Sequence, residues 1–464
     1  MRRRLFANTD SLNRKIFRTA VVVGLFTLVV KACATAKELV VARSFGRSDE
    51  LDALLIAYLL PAFVLGLLNG AFATAIIPAL VGTREKQGPE AAQELFSGAM
   101  LVNAFLLAGT AILLGLLAPV FLPYLGSGFT AAKLHLTRQL LCVLLPFVVF
   151  GGLAGAASAV LNAVQKFALP AVVPLCTPLL TILFIVVGAA RLGAFVLAAG
   201  LTIGSVIEAG LLVWLLQRHG MSLRLRWTGF TPEIRGLMGQ YVPMLAGAFL
   251  TSSTGVVDQS MAAMLPSGSV AALGYGNKIV TLVLAIGGSS LSTAFFPHLS
   301  TLLARNDWDQ CRDTLRKYSL LLIMATLPLT AFLVLFSRTL VGLLYQRGAF
   351  TAADANLVSK VQIAYALQIP FNFCGLLMVR FLSAVRRNDV LMYLSGINLV
   401  LDIVLNLVFM RRWGVAGIAF STSLVYAFSC LFVTAWSLWL IRRQPLEACA
   451  VGEAGSEAGP GAVG

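Results

Sequence analysis

Charge is scarce in this sequence. Only 12% of its 464 residues are Asp, Glu, Lys or Arg, while 58% are hydrophobic and the mean hydropathy is +0.87. A soluble domain carries about 25% charged residues, so this composition excludes one and points to an integral membrane protein. Acids are scarcer than bases, 20 against 35. In a membrane protein the placement of such an excess matters more than its sum, so nucleic acid is not implied as a partner. Histidine is rarer still: His135, His219 and His298 stand far apart, next to loops or span ends. There is no Ser/His/Asp pattern and no GxxxxGK(S/T) loop. That excludes the usual hydrolytic constellations and an ATP-driven pump, so energy, if any is used, is expected from a gradient, and no catalysis is expected. The seven cysteines form no CxxC pair and mostly sit in apolar runs, as small core residues rather than a redox or zinc site. No signal peptide is expected either. The basic start MRRRLFANTDSLNRKIFRTA is followed by an apolar run that is too long for one and lacks a small-residue cleavage site.

What is present is long apolar runs. Crossing the hydrocarbon takes about 18 or more residues as helix, and about twelve runs qualify. They lie near 20–43, 51–82, 96–125, 139–164, 169–190, 192–217, 237–265, 270–302, 317–346, 357–385, 390–410 and 414–441. Pro61, Pro146, Pro178, Pro243 and Pro370 fall inside spans and predict kinks that a bundle tolerates. With the N-terminus placed in the cytoplasm, the segments on that side hold roughly three times as many Lys and Arg as the opposite loops, so both termini are expected there. The expected organisation is a basic cytoplasmic N-terminus (1–19), a six-helix lobe (20–217), a cytoplasmic linker (218–236), a second six-helix lobe (237–441) and a disordered tail (442–464).

A repeat of roughly 220 residues relates the two lobes. ATAIIPAL at 73–80 returns as STAFFPHL at 292–299, GSGFTAAKL at 126–134 as QRGAFTAADA at 346–355, and VLLPF as LQIPF. Each half holds an even number of spans, so both enter the membrane the same way. This is the parallel type of transporter repeat, with substrate handled between halves that rock.

Ionisable groups at bilayer depth default to function. Lys31, Lys37 and Glu38 lie in the first span, Lys31 and Glu38 sharing a face at a spacing of seven. Lys278 follows Asn277 in LGYGNKIVTLV of the eighth span. Together the three lysines predict a cationic chamber suited to phosphate; the plainer reading pairs Lys37 with Glu38 and lets Lys31 snorkel. Asp258 in the seventh span, with Asn398, Asp402 and Asn406 recurring every four residues in the eleventh and Thr422 in the twelfth, forms an all-oxygen set. It suits either a hard cation or ordinary interhelical hydrogen bonding. At the first outer junction, VVARSFGRSDELDAL, Arg43 and Asp52 are expected to pair as a gate. Arg47, Asp49 and Glu50 read as solvated loop charges.

The stretches ELVVARSFGRSDELDALLIAYLLPAF and NGAFATAIIPAL, and later GFTAAKLHLTRQLLCVLLPF, AVLNAVQKFALP, GSVAALGYGNKIV, GAFTAAD and GVAGIAFSTSL, resemble the MurJ/MviN lipid II flippases of the multidrug/oligosaccharidyl-lipid/polysaccharide exporter superfamily. The resemblance covers nearly the whole chain. It implies an all-α membrane fold of two six-helix lobes around a central cavity, in the bacterial inner membrane, that flips an undecaprenyl-diphosphate-linked glycan by alternating access. Cell-wall or polysaccharide synthesis proteins are the partners it implies, and membrane lipid its surroundings. The family's cavity arginines fall on Lys31, Lys37 and Lys278, and its acid after the first loop on Asp52, so substrate-binding roles are expected for these together with Glu38 and Asn277. Members with a sodium site match at Asp258, Asn398, Asp402 and Thr422, implying sodium as coupling ion and no other cofactor. The family's arginine pair before AEGAF has no counterpart in PAFVLGLLNGAF, where Asn69 replaces the acid. Its two further C-terminal helices also have no match. Those departures keep an O-antigen or exopolysaccharide flippase of the Wzx type as the alternative. A cation-coupled drug exporter on the same fold, disfavoured by the lysines, and a membrane scaffold for glycan synthases are the readings of other kinds.

Overall fold

A computed structural model describes residues 2–221, 245, 249, 252–304, 308–385 and 387–456. These residues are helical nearly throughout, with no strand among them. In chain order the helices are α1 (Arg2–Phe45), α2 (Asp49–Gln87), α3 (Pro89–Leu125), α4 (Ala131–Ala163), α5 (Ala168–Val172), α6 (Cys176–Leu192), α7 (Phe195–Arg218), α8 (252–262) and α9 (Ser269–Ala304). Then follow α10 (Trp308–Leu335), α11 (Ser337–Tyr345), α12 (Ala352–Ala366), α13 (Gln368–Ala384), α14 (Asn388–Trp413) and α15 (Val415–Ser456). Among the described residues ten stretches are long and apolar enough to cross a membrane. The expected first span lies within α1. The seventh (237–265) and the linker (218–236) fall partly outside the described residues.

Local sequence explains where the helices start and break. Ser48 caps α2 by accepting the N–H of Leu51 at 3.2 Å, and Thr130 caps α4 by accepting that of Lys133 at 3.3 Å. The fifth span is not one helix. Pro170, Pro174 and Pro178 recur every four residues, each removing a backbone donor, and the chain passes from α5 through a 3-10 turn, Val173–Leu175, into α6. The tail expected to be disordered from 442 instead continues α15 to Ser456. Its Leu, Glu and Ala residues are good helix formers that extend an existing helix without a new nucleus.

Contacts divide the chain into two compact units: Met1–Ala271 with Leu344–Thr351, and Ala272–Leu343 with Ala352–Gly464. In the first, α4 packs against α2, α3 and α7, and α6 against α7 and α1. Phe72, Ile76, Leu80, Phe96, Leu107 and Val148 are buried in its core. In the second, α15 packs against α12, α13 and α14, and α10 against α13, around Phe295, Leu299, Leu377, Phe381 and Val433. The repeat is visible in these lists: fourth with sixth span and fifth with sixth in one unit become tenth with twelfth and eleventh with twelfth in the other.

With no water to expel between helices in lipid, close approach of small residues holds such seams. On α7, Gly200 and Gly204 lie against Thr181 and Thr177 of α6. A Cβ on either glycine would come within 2.8 and 2.7 Å of the respective threonine Cα.

Candidate functional site

Within the first unit, the junctions at 46–48, 126–130, 263–268 and 346–351 converge. The backbone N–H of Ala349 donates to the carbonyl of Arg43 at 2.8 Å. Gly268, at φ +79, approaches Arg47 so closely that a Cβ would lie 2.7 Å from the Arg47 carbonyl oxygen. This position needs both glycine's missing side chain and its freedom at positive φ. The Arg47 guanidinium donates to the carbonyls of Gly268 at 3.1 Å and Ser267 at 3.3 Å.

The first turn of α2 carries Asp49, Glu50 and Asp52, and each is engaged elsewhere in the chain. Asp52 is buried and accepts the backbone N–H groups of Gly268 at 2.7 Å and Ala271 at 2.9 Å. These are donors at the N-terminus of α9, where a helix leaves its first N–H groups unpaired and its dipole favours an anion. Glu50 does the same for α7, accepting the N–H of Ala194 at 3.0 Å. Asp49 accepts the Ser267 hydroxyl at 2.8 Å. Lys133 of α4 completes the cluster. Its Nζ lies 2.5 Å from Asp49 and 3.2 Å from Asp52, and 4.0 Å from the centroid of the Phe129 ring. Lys133 and Asp52 are thus a buried ion pair whose acid is further satisfied by two backbone donors, the condition under which burial of charge is tolerated.

This arrangement differs from the expected gate. The Arg43 side chain is exposed and contributes only its backbone carbonyl to the contacts described; Asp52 pairs with Lys133 instead. Arg43 lies in the last turn of α1, whose carbonyls are free to accept, whereas Asp52 faces α4 and the 267–271 turn. Arg47, Asp49 and Glu50, expected to be merely solvated, all make specific bonds. Lys133 lies inside the landmark GSGFTAAKL, where sequence reasoning assigns it no role. The signal was there: the matching position of the second half, in GAFTAAD, is Asp354, an acid for a base in an otherwise similar motif.

The other expected residues are placed as follows. Lys37 and Glu38 form an ion pair at 3.0 Å, both about one-fifth exposed, and Lys31 is exposed on α1. All three belong to the first unit. In the second, Lys278 is exposed on α9 and Asn277 accepts the Thr281 hydroxyl at 3.2 Å. Asp258, on α8 in the first unit, is buried. In the second unit, Asp402 is buried on α14 and accepts from the Asn406 amide at 3.3 Å, while Asn398 accepts the Ser429 hydroxyl at 2.9 Å. Thr422 of α15 donates to the carbonyl of Ile418 at 3.1 Å. The α14 face therefore presents carboxylate and amide oxygens at a four-residue spacing, a donor set that fits a hard cation.

A family model described as lipid II flippase MurJ matches residues 41–447. A protein of Synechocystis sp. named probable lipid II flippase MurJ is 28% identical over 453 residues, covering 93% of this chain and 82% of its own. One from Burkholderia cenocepacia, named lipid II flippase MurJ, is 26% identical over 387 residues, covering 79% and 72%. Among solved structures, a lipid II flippase MurJ in an inward closed conformation superposes with a TM-score of 0.76 at 22% identity, over 89% of this chain and 86% of that one. An inward-facing multidrug resistance MATE transporter of the MOP superfamily superposes with a TM-score of 0.73 at 13% identity, over 90% and 98%. At these identities the two structures bear on the fold alone.

Proposed function

The chain belongs to the MurJ family of lipid II flippases, and on that premise we propose that it carries lipid II, a polyprenyl-diphosphate-linked saccharide, from the cytoplasmic to the outer leaflet of the bacterial inner membrane by alternating access. The observation that carries this reading is the closed junction of the first unit. It is held by side chains on backbone groups and one buried ion pair, contacts that part and re-form without unfolding a helix, as alternating access requires. Both termini are cytoplasmic, on the distribution of Lys and Arg.

Lys31 and Lys37 of the first unit, the latter paired with Glu38, and Lys278 of the second, next to Asn277 in the chain, are each cations for the diphosphate. A lysine ammonium serves as a point charge without the two-pronged geometry of arginine, so headgroup recognition rests on charge more than on a fixed hydrogen-bond fork. Asp52, Arg47 and Lys133 form the outer gate. In the second unit, Asn398, Asp402 and Thr422 would offer oxygens to sodium, whose charge balances the acid in low dielectric. Depleting MurJ in a bacterium and supplying this gene tests the assignment. Growth is restored if lipid II is the substrate, whereas failure despite stable membrane expression would refute it.

A further inference from the structure

Glu208 is the one acid of the sixth span, in IGSVIEAGLLV, and it has no part in the gate, the cation site or the headgroup lysines. It stands near the middle of α7, on the stripe already occupied by Gly200 and Gly204 at a spacing of four. Those glycines bring α6 against α7, and one turn further on Glu208 meets the beginning of α6. Its Oε1 accepts the backbone N–H of Thr177 at 3.2 Å. No cation answers it among the described residues. α7 packs on α4, α5, the 3-10 turn and α6. On α4 the titratable groups are Lys133, His135, Arg138 and Cys142, towards its opposite end. α5 and the turn have none. α6 has Arg191 at its far end and Cys176 beside Glu208, and α7 itself has Arg218, ten residues on.

Closing the first turn of α6 needs only a hydrogen-bond acceptor, which a neutral Gln supplies. A carboxylate at this depth, with one backbone N–H as its donor and no counter-charge among the described residues, is unfavourable unless it serves a further purpose. Glu208 is also half-buried rather than sealed. We propose that Glu208 is a proton-binding site in the sixth span, whose loading couples a proton gradient to movement of the lipid-linked substrate. Hydronium gives its proton to one carboxylate oxygen, breaking its own O–H bond and leaving as water. The acid keeps its carbonyl oxygen for the Thr177 N–H, while its hydroxyl becomes a donor. The negative charge facing the α6 N-terminus disappears, and with it an attraction that holds α6 to α7.

The coupling rests on the flippase reading; the proton site does not, and two measurements separate them. In native membranes, dicyclohexylcarbodiimide, which reacts with protonated carboxyls at lipid depth, should label Glu208, as read by peptide mass spectrometry. Labelling should fall about tenfold per pH unit beyond its midpoint. In proteoliposomes, an imposed proton gradient should accelerate flipping of a polyprenyl-diphosphate-linked saccharide by the parent and by Glu208→Asp, but not by Glu208→Gln, which keeps the acceptor for Thr177. Absence of labelling at every pH, or an undiminished gradient response in Glu208→Gln, would overturn the proposal. Titrating label in a parent protein that moves no lipid-linked saccharide would keep the site and reject the flippase reading.

Discussion

Removing Lys133 should open the junction at the start of α2. At 3.2 Å and an effective dielectric of about 20, the Lys133–Asp52 attraction is about 5 kcal/mol. The Asp49 arm adds little, because that side chain is 64% exposed and exposed pairs contribute about 0–1 kcal/mol. Lysine's own burial offsets part of the total. Lys133→Ala leaves Asp52 buried, yet still bonded to the N–H groups of Gly268 and Ala271. The expected loss is therefore about 3 kcal/mol, the lower end for breaking a buried pair. At about 1.4 kcal/mol per factor of ten, the closed state loses about a hundredfold against the open one. Ser269 is buried in the closed junction. With cysteine placed there, in a chain whose seven native cysteines are replaced, a membrane-impermeant maleimide should react about a hundredfold faster in Lys133→Ala. Adding Asp52→Asn removes the stranded charge and should bring the rate back towards the parent's. A rate within about twofold of the parent, or a double variant as fast as the single one, would refute the assignment of Lys133 as the latch.

Lys31→Ala, Lys37→Ala and Lys278→Ala should each lower flipping while the folded protein accumulates normally, and the Arg variants should retain it; parental transport by the triple Ala variant would refute their role as headgroup cations. Sodium should raise the thermal midpoint of the parent but not of Asp402→Asn, and indifference of both to sodium would make that cluster structural. Gly204→Leu should lower the midpoint by forcing α7 off α6, an overpacking cost of about 1–3 kcal/mol, measured as heat-induced aggregation in detergent; an unchanged midpoint would mean the seam is looser than the 2.7 Å clearance implies.

The helices were legible because a bilayer imposes one long period of apolarity, and the repeat because its landmarks are turn residues that each half needs. The latch was not. Lys133 and Asp52 are 81 residues apart, and a charge beside a loop reads as solvated unless its partner is known. Arg47, Asp49 and Glu50 were obscured for the same reason: Arg47 and Glu50 bond backbone groups elsewhere in the chain, which have no letter in the sequence, and Asp49 bonds the side chains of Lys133 and Ser267, far from it in the chain. Helix ends were more legible when the responsible residue was local, as with Ser48 and Thr130. The division of the fifth span follows from three prolines in register, while the helical extension to Ser456 shows that composition alone is a poor guide to where a long helix stops.

The burial of Asp52 also sets an order of events during synthesis. Its carboxylate is made long before anything that can receive it: Lys133 follows 81 residues later and Gly268 216 residues later. At about 5–20 residues per second, the acid waits about 4–16 s for its ammonium and about 11–43 s for the amide groups of the 267–271 turn. Throughout that interval it must remain hydrated at the membrane surface. The second span thus enters the bilayer with its first turn still wet, and this junction closes only after the ribosome has delivered the start of the eighth.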